Sequence, residues 1–300
     1  MRAIETERLS PRYSGIDVWA SSDALDAMIE GQFAAVAAVR AAKPAIERAV
    51  LAMESRLKDK GRLVYAGAGT SGRLAAQDGA ELMPTFSWPA DRLVLLIAGG
   101  DKALLQAVEG AEDEAKHAAA LIKSHEIGKS DVLIAVAASG TTPFTLASLR
   151  AAKRKGALTI GIANNPGTPI LAGADHAILL ETGAEPIAGS TRMKAGTAQK
   201  ITLGLLSSLL MIRLGRVYDG MMVDVQATNR KLSRRSETML MHLSGRKKKD
   251  ARAALAEAGG SIKLAMLLLK GCDLAEATSL LKRSKGQLRP AIARLEKRPR

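Results

Sequence analysis

RLVYAGAGTSGRLAAQDGAE, residues Arg62–Glu81, opens on a short apolar run, Leu63-Val64-Tyr65-Ala66, of the kind that forms a buried parallel strand. The run turns through Gly67-Ala68-Gly69-Thr70-Ser71-Gly72 into a segment that reads as a helix from about Arg73 to Met83, stopped by Pro84. A strand, a glycine turn and a helix in that order aim free backbone N–H groups and a helix dipole at an anion. The glycines let the backbone approach a phosphate closely, and Thr70 and Ser71 add hydroxyl donors. The spacing is not a Walker loop, because no Gly-Lys-Ser/Thr follows. As a G-x-G-x-x-G with hydroxyls in its middle, it is by itself equally a tight strand–helix turn.

Four further apolar runs follow: Arg92–Ala98, Asp131–Ala137, Leu158–Ala163 and His176–Leu180. They are separated by helix-length segments, which predicts a doubly wound, five-stranded parallel sheet flanked by helices. The third run ends in Ala138-Ser139-Gly140-Thr141-Thr142-Pro143, a second hydroxyl-bearing turn, with Pro143 suited to the first helical position. Ligands of such sheets sit at strand carboxyl ends, so two such turns favour one shared phosphate pocket. The second strand ends Ala98-Gly99-Gly100, with no acid to hold a ribose, which argues for a small phosphorylated metabolite over a dinucleotide.

Elsewhere the pattern predicts two N-terminal helices, about Asp23–Ala42 and Ala45–Lys58, interrupted by Pro44. It also predicts a helix over about Glu112–Lys123, a plain turn at Asn164-Asn165-Pro166-Gly167, and a long helix over about Met193–Leu214. Beyond Gly220 the pattern is wholly helical. Met222–His242 reads as one helix, and three or four short helices follow, broken at Gly259-Gly260, Gly271 and Gly286. The expected division is a sheet domain over residues 1–244 and a small all-helical domain over 245–300.

Of 300 residues, 47% are hydrophobic, ample for a core. Cys272 is the single cysteine, which excludes an intrachain disulfide framework and fits a reducing compartment. MRAIETERLSPRYSG has no apolar core of a signal peptide, and the longest apolar run, Ile201–Ile212, is short and broken by Gly204, Ser207 and Ser208. The expectation is a cytoplasmic protein with no membrane partner. Residues 230–300 carry 19 Lys and Arg against 6 Asp and Glu, leaving 1–229 nearly neutral with 25 and 24. A basic helical tail is first a solvated face. A nucleic-acid partner is disfavoured because aromatics are not interleaved with the charge and no nucleic-acid module is visible. His117, His125, His176 and His242 are scattered, so neither a metal nor another cofactor is expected.

The motifs GAGTSGRL, DGAELMPT, AVEGAED, AASGTTPF, NNPGT, GSTRMKAGTAQK and MVDVQATNRKL together resemble the N-acetylmuramic acid 6-phosphate etherases, bacterial enzymes with a sugar isomerase (SIS) domain. The resemblance runs from about Thr6 to the C-terminus and is densest between Gly61 and Leu232. The chain departs from the family pattern at Glu30-Gly31-Gln32-Phe33, at Leu82-Met83, and at Thr141, which stands where the family carries arginine. The resemblance implies cleavage of the D-lactyl ether of N-acetylmuramate 6-phosphate by elimination and hydration. It places the family's two functional glutamates on Glu81 and Glu112, and it implies a homodimer. Gly69, Thr70, Ser71, Ser139, Gly140, Thr142, Ser190 and Lys194 are the candidate substrate-binding residues. Read without the resemblance, Glu81 is equally a surface acid, Glu112 belongs with Glu109 and Asp113 to an acidic helix start, and Arg192 and Lys194 are equally surface cations. Two other functions share this pocket: a non-catalytic phosphosugar-binding regulator, like the animal glucokinase regulatory protein, and an aldose–ketose phosphosugar isomerase.

Overall fold

A computed structural model describes residues 4–225 and 230–297. After three 3-10 turns, Glu5–Glu7, Pro11–Tyr13 and Ile16–Val18, come α1 (Ser21–Leu57), β1 (Leu63–Gly67), α2 (Gly69–Phe86), β2 (Leu93–Ile97), α3 (Lys102–Leu105) and α4 (Ala115–Ser124). They continue with β3 (Val132–Val136), α5 (Pro143–Arg154), β4 (Leu158–Ala163), α6 (Pro169–Gly173), β5 (His176–Leu179) and α7 (Lys194–Arg213). A short hairpin, β6 (Val217–Tyr218) and β7 (Met221–Met222), precedes α8 (Arg230–Ser244), α9 (Lys248–Glu257), α10 (Ile262–Leu269), α11 (Leu274–Arg283) and α12 (Leu288–Glu296).

The five long strands pair in parallel in the order β2-β1-β3-β4-β5. In this 2-1-3-4-5 arrangement the strand order reverses between β1 and β3, which opens a crevice at their carboxyl ends. The period of two sends neighbouring side chains to opposite faces. Val64, Leu96, Leu133 and Ala135 pack with Ile122 of α4 and with Phe144 and Leu149 of α5. Tyr65 points the other way, where its hydroxyl donates to Asp78 of α2 at 2.6 Å, and Ser207 of α7 donates to the same carboxylate at 3.0 Å. Helices thus cover both faces, as a parallel sheet requires. α7 is long and apolar enough by composition to cross a membrane, yet just over half of its most apolar window is buried in the fold, as in a core helix.

The chain forms two compact units: Met1–Ala80 with Ala90–Ser208, and Glu81–Pro89 with Leu209–Arg300. The expected division after residue 244 falls inside the second unit. In that unit α8 to α12 enclose their own core, with Leu240, Leu255, Ile262, Leu267, Leu280 and Leu288 all buried. Four short helices follow α8, within the three or four expected.

Several expectations are corrected. α1 is one helix of 37 residues with Pro44 inside it. A proline in mid-helix costs about 3 kcal/mol, but Ala38, Val39 and Ala42 before it and Ile46, Ala49 and Val50 after it are all buried. Burial worth roughly 1.5–3 kcal/mol for each large side chain outweighs the break. α2 starts at Gly69, inside the glycine turn, and passes through Pro84. Glu112 lies on a single 3-10 turn, Ala111–Asp113, ahead of α4. Met222 is in the hairpin and not in a helix, while Gln226–Asn229, the middle of the MVDVQATNRKL motif, lie outside the described residues. Leu25, Ile29 and Phe33 are more than half exposed, and with Val36 they form a bare apolar stripe on α1.

At the amino ends of the strands, Asp131 accepts bonds from the Arg62 amide at 3.0 Å and from its guanidinium at 3.1 and 2.8 Å. The Gly128 amide adds a fourth bond at 2.9 Å. Burial alone would raise the Asp131 carboxyl, but the Arg62 guanidinium and the two amides outweigh it and hold the carboxyl below its usual range. A depressed carboxylate stabilises the fold above its unfolded pKa and ceases to do so as pH falls through its folded value. Asp131→Asn is therefore expected to cost about 1–3 kcal/mol at pH 7. In urea unfolding the gap from wild type should narrow below about pH 4; a gap that does not change with pH would show that the charge contributes nothing.

Candidate functional site

A cleft of about 380 Å³ lies at the carboxyl ends of β1 and β3, where the strand order reverses. The glycine turn enters it with Gly69, Thr70 and Ser71. Gly69 has φ +53° and nothing within 4 Å of the place a side chain would occupy, so its backbone stays open to a ligand. α2 begins at this residue, which leaves the amides of its first turn aimed outward.

The β3 turn supplies Ser139, Thr141 and Thr142. Ser139 Oγ accepts the Thr141 amide at 3.2 Å and lies 3.3 Å from Thr142 Oγ1. Gly140, at φ +70°, is packed so tightly that a Cβ would meet Thr168 Oγ1 at 2.2 Å, so no other residue fits. Thr142 is the N-cap of α5 but makes no side-chain cap bond, and Pro143 follows at the first helical position. Two helix N-termini and three hydroxyls, Ser71, Ser139 and Thr142, therefore converge on one crevice, an arrangement that suits a polyanionic group such as phosphate.

Glu112 lines the same cleft from its 3-10 turn, with Asp113 beside it. The turn is entered through Gly110, its N-cap, at φ +70°. Glu81 is exposed and is not among the lining residues; it lies twelve positions beyond Gly69 on α2, about 18 Å along a helix axis. Ser190 is half-buried beside the cleft sequence, and its neighbour Thr191 is the lining residue. Lys194 is 4% exposed, and its Nζ donates to the Thr182 carbonyl at 3.0 Å. Burial pushes the Lys194 ammonium down, Glu185 draws it up, and Arg12 and Arg8 add to the lowering. Glu185, itself buried, caps α7 by accepting the amides of Lys194 at 3.0 Å and Ala195 at 2.9 Å. Lys194 thus gives its amide to the cap of α7 and its ammonium to the Thr182 carbonyl. Among the described residues no group of His, Cys, Asp and Glu is placed to hold a metal.

Reading the sequence missed Glu7, which lines the cleft from the 3-10 turn Glu5–Glu7. It also took Asn164-Asn165 for a plain turn. Asn164 is buried and donates to the Leu180 carbonyl at 3.0 Å, while its Oδ1 accepts from Gln199 at 2.8 Å. Asn165 ties Thr6 to the β3 turn. Nothing local to Thr6 or to NNPGT signals the pairing, because the two lie 159 residues apart.

This fold with this crevice defines a sugar isomerase domain of the phosphosugar-binding kind. Residues 45–153 match the glucokinase regulatory protein N-terminal SIS domain, and residues 104–209 match the SIS domain. A phosphoheptose isomerase structure from Francisella tularensis is similar at TM-score 0.47 and 21% identity, over 66% of this chain and 100% of that one. The N-acetylmuramic acid 6-phosphate etherase of Deinococcus radiodurans is 50% identical over 96% of this chain and 94% of its own length. Those of Streptomyces avermitilis and Geobacillus thermodenitrificans are 41% and 40% identical, over 98% and 96% of this chain and 94% and 98% of theirs. The chain belongs to the N-acetylmuramic acid 6-phosphate etherase family.

Ser139→Ala removes one hydroxyl from the cleft and leaves Gly140 and the α5 start in place. Inorganic phosphate should bind about 5- to 150-fold more weakly by calorimetry, the effect of losing a charge-assisted bond of about 1–3 kcal/mol. Unchanged affinity would remove Ser139 from the anion site.

Proposed function

We propose that this protein is a carbon–oxygen lyase of the cytoplasm. It cleaves the D-lactyl ether of N-acetylmuramate 6-phosphate and gives N-acetylglucosamine 6-phosphate and D-lactate. The observation that carries the reading is a carboxylate, Glu112, set in the same cleft as two helix N-termini and the hydroxyls of Ser71, Ser139 and Thr142. The near full-length etherase relatives support it over a silent regulator or an isomerase. The chemistry needs a phosphate anchor and acid–base groups, and it consumes no redox equivalent.

In the open-chain sugar the C2 proton lies α to the C1 aldehyde and is acidic enough for a carboxylate to remove. Glu112 takes that proton. The electron pair moves to form the C2–C3 double bond, and the C3–O bond breaks toward the lactyl oxygen, which a carboxylic acid protonates. Glu81 is assigned this role. Water then adds its hydroxyl at C3 and a proton at C2, restoring a saturated amino sugar. The phosphate clasp holds the chain while C2 passes over Glu112, which is catalysis by position as well as by proton transfer.

The same reading makes the protein a homodimer. One observation supports it: the bare apolar stripe Leu25, Ile29, Phe33 and Val36 on α1. A second copy covers the stripe, and Glu81 of the partner subunit supplies the acid.

In deuterated water, Glu81→Gln should still exchange the C2 proton of its substrate without releasing lactate, because deprotonation survives loss of the acid. Glu112→Gln should do neither. The reverse pattern would swap the roles. Near-normal lactate release by either variant would exclude that residue, because losing a general acid or base costs about 10²–10⁴-fold.

Mixing the two inactive variants under conditions that exchange subunits should restore part of the turnover, since one site of a mixed dimer then holds both intact glutamates. No recovery despite verified exchange would place both glutamates on one chain.

A further inference from the structure

We propose that Glu7 is a substrate-contacting residue that reads the sugar rather than the phosphate, by accepting a hydrogen bond from a hydroxyl or amide N–H of the ligand. The assignment rests on the phosphosugar reading of the cleft.

Glu7 ends a single 3-10 turn, Glu5–Glu7, in a polar segment with no apolar pattern to hold it in place, and yet its neighbour Thr6 is fully buried. The reason is a clamp built by Asn165. The Thr6 amide donates to Asn165 Oδ1 at 3.2 Å, and Asn165 Nδ2 donates back to Thr6 Oγ1 at 3.0 Å and to the Ala138 carbonyl at 2.8 Å. Ala138 is the residue before Ser139, so the N-terminal segment is fastened directly to the turn that carries the cleft hydroxyls. On the other side the Gly189 amide donates to the Thr6 carbonyl at 3.2 Å. Two buried hydrogen bonds across the 159 residues between Thr6 and Asn165, and the bond from Asn165 to Ala138, fix the backbone from which Glu7 projects. Polar groups buried in this way are costly unless fully paired, and the pairing here delivers an acid to the cleft.

Gly189 makes room for that acid. A Cβ at Gly189 would sit 2.7 Å from Glu7 Oε2, and the residue is at φ +75°. The backbone of the Gly189-Ser190-Thr191 turn thus comes up against the carboxylate, and Thr191 lines the cleft beside it. Among the described residues the Glu7 carboxylate has no hydrogen-bond or ion-pair partner, so its acceptor capacity is free for a ligand.

Chemistry decides what that ligand group is. An ionised carboxylate only accepts, and a phosphate dianion also offers only acceptors, so the two repel. Hydroxyl and amide donors of an N-acetylated sugar are the complementary partners. The cleft therefore combines donors for the phosphate with Glu7 as an acceptor for the sugar, and a bare phosphate gains nothing from Glu7.

The test is calorimetry of wild type, Glu7→Gln and Glu7→Ala with N-acetylglucosamine 6-phosphate and, separately, with inorganic phosphate, beside kcat and KM for lactate release. Both variants should bind the phosphosugar about 10- to 100-fold more weakly and lose kcat/KM to match. Inorganic phosphate should bind as well as before or more tightly, and the melting temperature should hold, because Glu7 is exposed. Unchanged phosphosugar affinity would overturn the proposal. So would an equal loss for both ligands, which would make Glu7 part of the scaffold of the phosphate turn. The binding comparison does not depend on turnover, so failure of the elimination reading would show separately, as wild-type protein that binds the phosphosugar and releases no lactate.

Discussion

Everything at the ligand end of the sheet depends on how closely the end of β1 approaches the start of α2. A Cβ on Gly67 would stand 2.9 Å from the backbone of Gly72, and a Cβ on Gly72 would stand 2.9 Å from the Gly67 carbonyl oxygen. Only hydrogen fits at either position. The approach lets α2 begin two residues after the strand ends, so its first-turn amides stand over the crevice instead of a loop. The three glycines of GAGTSG have separate jobs: Gly67 and Gly72 permit the contact, and Gly69 turns the chain through φ +53° on the open side. Gly140 against Thr168 repeats the device at β3, so both anion-facing turns are set by steric exclusion and not by flexible loops.

The sheet was legible because a parallel strand buried on both faces needs a nearly continuous apolar run: β1, β2 and β3 are unbroken, β4 is interrupted by Thr159 alone, and β5 is apolar after His176. β4 lies within its expected bounds for the same reason. What the local pattern could not show was decided by distant contacts. Pro44 and Pro84 are breakers by propensity, yet each sits inside a helix; for Pro44 the burial on either side outweighs it. Met222 joins a hairpin because Val223 donates its amide to the Arg216 carbonyl at 3.1 Å, a contact that no helical period reveals. Of the site, the two hydroxyl turns could be read locally from their strand ends, whereas Glu112 stood out only through the family resemblance, since locally it reads as part of an acidic helix start. Glu7 could not, because a side chain 159 residues away holds its segment.

A buried carboxylate ties the glycine turn to the rest of the first unit. Asp78 accepts from Tyr65 on β1 and Ser207 on α7. Burial raises its carboxyl, while those two hydroxyls and the Lys200 charge pull it down without cancelling the rise. Burial raises the Tyr65 phenol as well, with the Asp78 charge adding to it. A group this costly to bury stays paired only if α2 keeps its rotation and register against both neighbours. Asp78 thereby fixes which residues of α2 face the sheet, and it does so from a position three residues before Glu81.

The peptide that follows Glu81 is held within the second compact unit. Arg216 donates to the carbonyls of Phe86 at 2.6 Å and Ser87 at 3.0 Å, and its guanidinium lies 5.4 Å from the centre of the buried Trp88 ring. Asp224 stands 3.7 Å from the same guanidinium, accepts from Lys263 Nζ at 2.7 Å, and takes the Ser87 hydroxyl on its backbone carbonyl. Lys263 is 5% exposed and bonds the Gly286 carbonyl at 2.8 Å, so the chain of contacts runs from the 86–88 turn to the loop before α12. Burial lowers both the Lys263 ammonium and the Arg216 guanidinium, and the Asp224 carboxylate offsets that cost in each. Two cations are therefore used internally: Arg216 satisfies carbonyls at the exit from α2, and Lys263 satisfies the Gly286 carbonyl ahead of α12. Removing the carboxylate would leave both cations buried without their counter-charge, and for that reason the turn after Glu81 and the helical unit form one compact body.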